Sequence, residues 1–259
     1  MTTRRDKIFN LEKLLPAMQN GRYCIIGAGP SLDFCEKEIT ELAEKETTFL
    51  LSDSVASSFI KIYPNTKRII FTVEARYHLY LKTLKKESIA FYIHANKRNL
   101  SEEETAIYLF QFVYDLKKSD LKTTVLVSPG TVAGAMLSWA LYSAKNLKFK
   151  STPEIYLLGV DLAYADNMIY SRLFSAKYEA FNLFFNRETH EYIASLKKSS
   201  YAYLINGFPV RTSDEFYKTK KNIEKLIDTI NFPLRIYDYS PLGIVSAKVE
   251  KRAPKALNV

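Results

Sequence analysis

Short apolar runs, each bounded by polar or turn-forming residues, recur along the chain and alternate with longer segments whose apolar residues return every three or four positions. The runs Tyr23–Ile26, Thr48–Ser52, Arg68–Val73, Ile89–Ile93, Thr124–Val127 and Glu154–Leu158 predict buried strands. Between them, Lys7–Asn20, Phe34–Lys45, Val55–Ile62, Tyr77–Lys86 and the small-residue stretch Thr131–Ala144 predict helices. Continuous apolar strands interleaved with helices predict an α/β fold, a mainly parallel sheet with helices on both faces.

The texture changes after Asp161. Residues 163–205 are rich in Tyr, Phe, Asn and Lys, lack glycine and show no strand–helix alternation. They read as an inserted aromatic lid over the edge of the sheet, or as a plain helical insertion. The chain then returns through Asn206–Thr212, a helix at Asp214–Thr229 and a strand at Leu234–Tyr237. This divides it into a core (1–162), the insertion (163–205), a return to the core (206–247) and a basic tail (248–259). The tail is expected to be frayed, the alternative being contact with an acidic membrane surface.

Composition narrows the class. A chain of 259 residues fits one large domain with an insertion. It buries enough surface to need no disulfide or metal staple. Its two cysteines, Cys24 and Cys35, belong to no metal-ligand spacing, which agrees with a reducing compartment. No apolar run reaches the ~20 residues needed to span a bilayer. The N-terminus lacks an apolar signal core, so a cytoplasmic location is expected. The net charge of +9 points to an acidic partner or to a solvated basic surface. No nucleic-acid-binding signature is present, and a homo-oligomer is compatible with the composition.

The candidate chemistry lies where open parallel sheets bind ligands, beyond the carboxyl ends of the strands. Those ends carry Gly27, Ala28, Gly29, Pro30 and Ser31, then Asp53, Glu74, Ser128, Pro129, Gly130 and Thr131, and finally Asp161. Of only eight glycines, Gly27, Gly29, Gly130 and Gly159 fall there. Glycine lets the backbone turn and lets a ligand approach it, and a helix start just beyond offers N–H groups to phosphate. The first loop is neither a dinucleotide fingerprint nor a P-loop, since Leu32 stands where a third glycine would be and no Gly-Lys-Ser/Thr follows. Pro30 suits the first turn of a helix, and Ser31 suits a cap as well as a ligand contact. Asp161 fits a ribose, a cation or the orientation of its own loop. Asp53, Glu74 and Asp161 together would suit Mg²⁺ against a diphosphate.

Four stretches form a recognisable constellation: Gly-Ala-Gly-Pro-Ser-Leu-Asp at 27–33, Ser-Pro-Gly-Thr-Val-Ala at 128–133, Ile-Tyr-Leu-Leu-Gly-Val-Asp-Leu-Ala-Tyr at 155–164, and Asn206-Gly207-x-x-Val210-x-Thr212-Ser213. Together they resemble the motility accessory factors, which glycosylate flagellin with nonulosonic acids and share a domain with archaeal 6-hydroxymethylpterin diphosphokinases. The first three also resemble motifs of the Campylobacter-type sialyltransferases. The resemblance implies a Rossmann-like sheet and a CMP-activated donor held by Gly27–Ser31 and Ser128–Thr131. It also implies a protein or saccharide acceptor and no obligatory cofactor. Where those sialyltransferases carry asparagines this chain has Asp53 and Glu74. Tyr164 and Tyr170 correspond to tyrosines that assist the departing phosphate, and His190 to a lid histidine acting as general base, although its Thr-His-Glu-Tyr setting departs from the motif. Two other readings remain: a Mg²⁺-dependent diphosphokinase acting on a pterin-like alcohol with ATP, and a non-catalytic module that binds glycan or flagellin.

Overall fold

Alternation within each short run sorts its side chains onto two faces. In β2 (Arg22–Ile26), Tyr23 and Ile25 join one hydrophobic core and Cys24 and Ile26 the other. In β3 (Thr48–Ser52) Leu50 parts from Phe49 and Leu51 in the same way, and in β8 (Glu154–Leu158) Ile155 and Leu157 part from Leu158. Strands buried on both sides need cover on both sides. The computed structural model describes residues 8–73, 87–92, 106–112, 124–127, 131–165, 171, 174, 200–205, 208–240 and 243–254.

One core is covered by α3 (Val132–Asn146), through Met136, Trp139 and Ala140, and by α4 (Asp214–Asp228), through Ile223 and Ile227. The other is covered by α1 (Glu36–Ala43), through Ile39 and Leu42, and by α2 (Asp53–Ile62), through Val55 and Phe59. The remaining strands of the main sheet are β1 (Ile8–Asn10), β4 (Lys67–Thr72), β5 (Ser88–Tyr92), β6 (Ala106–Phe112), β7 (Thr124–Leu126), β12 (Arg235–Asp238) and β13 (Val249–Lys251). The order is β1-β6-β5-β4-β3-β2-β8-β12-β13, with β7 also on β6, and every pairing is parallel. The α/β, Rossmann-like expectation holds. Strands β2 to β6 are laid in one direction and β8, β12 and β13 in the other, so the order reverses between β2 and β8. Ligand crevices open at such a reversal.

Several local expectations give way to the structure. The helix expected over Lys7–Asn20 is β1 followed by a 3-10 helix, Leu11–Met18. Asn10 caps it by accepting from the Glu12 N–H, and Pro16 lacks the N–H that an α-helical ladder would need. The helix expected from Phe34 is divided at Cys35 into a 3-10 turn, Pro30–Phe34, and α1. β6, not foreseen, fills the sheet between β1 and β5. The tail contributes β13, parallel to β12, where fraying was expected. The helix expected at Tyr77–Lys86 lies outside the described residues.

Most of the expected helical lid also lies outside them. Its described ends are strands: β9 (Tyr164–Ala165) and β10 (Ser200–Ile205) join β11 (Phe208–Ser213) in a separate antiparallel sheet of order β10-β11-β9. Among the described residues no helix is long and apolar enough to cross a membrane.

Candidate functional site

The reversal point is built from backbone. Beyond the last β2–β8 pair, the Gly27 N–H donates to the Leu158 carbonyl and the Gly29 N–H to the Gly159 carbonyl, both at 2.8 Å. The two chains leave the sheet so close together that a Cβ on Gly27 would stand 2.2 Å from the Gly159 oxygen. Gly159 turns away with φ +64°, and three residues later Leu162 adopts φ +51°, a conformation a leucine rarely takes. Thr212 Oγ1 donates to the Leu162 carbonyl at 2.7 Å and so ties this turn to β11. Backbone held in such a sparsely populated region is a mark of functional sites.

Asp161 is the most constrained of the candidate side chains. Only 1% exposed, it accepts from the Ser31 N–H at 2.8 Å and from Ser31 Oγ at 2.5 Å. Its carboxylate occupies the space into which a Gly29 Cβ would project. The start of the 3-10 turn at Pro30–Phe34 is therefore already occupied, by a carboxyl of the chain itself. Pro30 and Ser31 are buried behind the loop, while Gly27, Ala28 and Gly29 face the cleft. Further support comes from Ser240, whose Oγ accepts from the Val160 N–H, and from Asp238, which accepts from the Ser240 N–H and is paired with Lys251 of β13.

Burial pushes the Asp161 carboxyl up to about 7, despite two hydrogen bonds from Ser31 that pull it down. The unfolded chain releases this proton near the ordinary value of 3.8, so between there and about 7 the folded chain holds more protons than the unfolded one. Stability from this group is therefore lost as pH rises through that window. Asp161→Asn keeps an acceptor for the Ser31 N–H and carries no charge. Its melting temperature relative to the native chain is expected to rise between pH 5 and pH 8 by a few degrees. A difference that stays constant with pH would show that Asp161 does not titrate there.

The cleft over this junction encloses about 250 Å³. Its walls come from separate strand-to-helix turns: Gly27–Gly29 after β2, Ser52–Ser54 after β3, Val73 after β4, Thr131–Ala133 at the start of α3, and Gly159–Ala163 after β8. The helix starts differ in charge. At α2 the first residue is Asp53, buried, with its carboxylate accepting from Thr72 Oγ1 at 2.6 Å. At α3 the first turn carries no acid, and the cap is the neutral Thr131, whose Oγ1 accepts from the Gly134 N–H. The N–H groups of Val132 and Ala133 belong to the first turn, which has no intrahelical acceptors, and both residues line the cleft. Of the helix starts here, α3 is the one suited to an incoming anion.

The structure thus brings Gly27, Ala28, Gly29, Asp53, Thr131 and Asp161 to one cleft. Glu74, Ser128, Pro129, Gly130, Tyr170 and His190 lie outside the described residues, and for Tyr164 only the backbone, in β9, is described. Among the described residues no three His, Cys, Asp or Glu converge as a metal site. The carboxylates of Asp53 and Asp161 are each engaged by a hydroxyl of the chain itself. Two features, one beside the cleft and one lining it, were not anticipated from the sequence. Ser171 docks on the first loop, its N–H donating to the Ala28 carbonyl at 2.8 Å and its Oγ to Asp33. Phe216, in the first turn of α4, lines the cleft. Phe216 stands three residues after the capping Ser213, in a helix whose existence was legible although its contact was not.

Comparison with family models and with curated proteins finds no match. Among solved structures the chain is similar to "MAf glycosyltransferase from Magnetospirillum magneticum AMB-1", with a TM-score of 0.55 and 13% sequence identity over 93% of this chain. It spans 34% of that protein, about a third of its length. At this identity the likeness is one of fold.

Proposed function

We propose that the chain is a glycosyltransferase whose cleft holds a nucleotide-activated sugar, with a CMP-activated nonulosonic acid as the donor class and a protein such as flagellin, or a glycan, as acceptor. The observation that carries this reading is the meeting of the β2 glycine loop and the acid-free start of α3 in one cleft. The likeness of fold to a glycosyltransferase supports it.

The chemistry is a displacement at the anomeric carbon. The bond from that carbon to the phosphate oxygen breaks, its electrons leave with the nucleotide, and the acceptor hydroxyl forms the new bond as its proton passes to a base. Negative charge grows on the phosphate, where first-turn N–H groups stabilise it without reorganising. Val132 and Ala133 supply such groups. On this reading Tyr164 and Tyr170 assist the same phosphate, and His190 takes the acceptor's proton, as neutral imidazole does near neutral pH. The first loop closes one side of the site while its own helix start is occupied by Asp161, which acts as an orienting group. Asp53 and Asp161 both border the cleft, which favours a Mg²⁺-dependent diphosphokinase as the second reading. Their engagement by Thr72 and Ser31 leaves that donor set less suited to a metal.

Thermal unfolding with CMP, CDP, ATP and Mg²⁺ separates these readings. A ligand present at 100 times its dissociation constant stabilises by ~2.7 kcal/mol. Stabilisation by CMP or CDP, without Mg²⁺, is the expected result. A response confined to ATP with Mg²⁺ would replace the transferase by the diphosphokinase, and silence with every nucleotide would leave a binding module.

A further inference from the structure

The cleft is not uniform along its length. Following the strand order, its floor runs from Val73 and Ser52–Ser54, after β4 and β3, across the β2 glycines to Gly159–Ala163 after β8. α3 packs on β2, β3 and β4, and its start, Thr131–Ala133, lines the cleft above them. Phe216 belongs to the opposite end. Its helix follows β11 and packs against it, and the bond from Thr212 Oγ1 to the Leu162 carbonyl fastens β11 to the β8 rim. Hydroxyls of Ser52 and Ser54, 3.2 Å apart, mark one end of the cleft; Leu162, Ala163 and Phe216 make the other apolar.

We propose that Phe216 is the platform for the sugar ring of the donor, a specificity-determining contact, and that the nucleoside lies toward Ser52–Ser54. The inference rests on the reading of the cleft as a nucleotide-sugar site and assigns its polarity. A phosphate at the start of α3 divides the ligand, leaving the nucleoside on one side and the sugar on the other. Ribose and base edges carry donors and acceptors that hydroxyls can match. A pyranose presents a face of C–H bonds, and the electron-rich face of an aromatic ring is complementary to it. Phenylalanine adds no hydrogen bond, so this end selects the shape of a ring. Leu162, turned by its positive φ and held by Thr212, forms the neighbouring wall.

The test is titration calorimetry of the full chain and of two variants with CMP and with a non-transferable fluorinated analogue of CMP-N-acetylneuraminic acid. Phe216→Ala is expected to bind CMP within about twofold of the native chain while its affinity for the analogue falls ~10-fold. Phe216→Tyr, which keeps the ring, is expected to retain analogue binding. Unchanged CMP affinity in Phe216→Ala also serves as the control for folding. Weakened CMP binding in that variant would place the base against Phe216 and overturn the proposal. Undiminished analogue binding in Phe216→Ala would overturn it too, as would a native chain that binds the analogue no better than CMP. A native chain that binds neither compound would instead overturn the nucleotide-sugar reading itself, a result distinct from the others.

Discussion

Gly27→Ala is expected to lower the unfolding free energy by ~3 kcal/mol, a large fraction of the stability of an ordinary protein. The added methyl carbon would stand 2.2 Å from the Gly159 oxygen and 2.8 Å from the Gly159 carbonyl carbon. Both are backbone atoms, just beyond the ends of β2 and β8, so no rotamer change relieves the contact. Relief requires β2 and β8 to separate where the Gly27 N–H bonds the Leu158 carbonyl. Chemical denaturation read by far-ultraviolet circular dichroism measures the effect. A loss below ~1 kcal/mol would mean that the two strand ends have room to part.

Ala133→Asp is expected to weaken CMP binding by ~100-fold or more, because unit charges a few ångströms apart in partly buried surroundings repel by several kcal/mol. The same substitution is expected to leave the fold intact or raise its stability by about 0.3–1 kcal/mol, since an acid in the first turn of α3 favours the helix. Opposite signs for binding and stability separate a charge effect from damage. Ala133→Asn, similar in shape and neutral, is expected to bind CMP nearly as the native chain does. Calorimetry and melting curves on the same samples give both readings. Equal CMP affinity in Ala133→Asp and the native chain would remove the phosphate from the start of α3.

The central strands were legible because burial on both faces leaves a continuous apolar run. Thr48–Ser52 and Glu154–Leu158 are found where the sequence places them. The same reasoning overlooked Ala106–Phe112, an equally apolar run on the far side of the sheet with no glycine turn after it to mark its end. Around Leu11–Met18 the helical period was genuine, but the period does not distinguish a 3-10 from an α-helix, and Pro16 weighs on that choice. The glycines singled out at strand ends, Gly27, Gly29 and Gly159, do meet in one cleft at the β2–β8 junction. They did not show that Asp161 would occupy the first helix start, because its partner Ser31 lies 130 residues away in the chain. Nor did they distinguish α3, whose first turn lacks an acid, from α2, whose first residue is one. Phe216 belongs to no motif, and only the tertiary path of β11 and α4 brings it to the cleft.

The β2–β8 junction joins residues far apart in the chain, Arg22 and Glu154 being separated by 132 positions. Pairings this distant form late, since a long loop must close before the contact rewards it. Without that pairing the strands β2 to β6 would lack the Gly159–Ala163 wall, so a complete cleft requires this long-range contact to have closed.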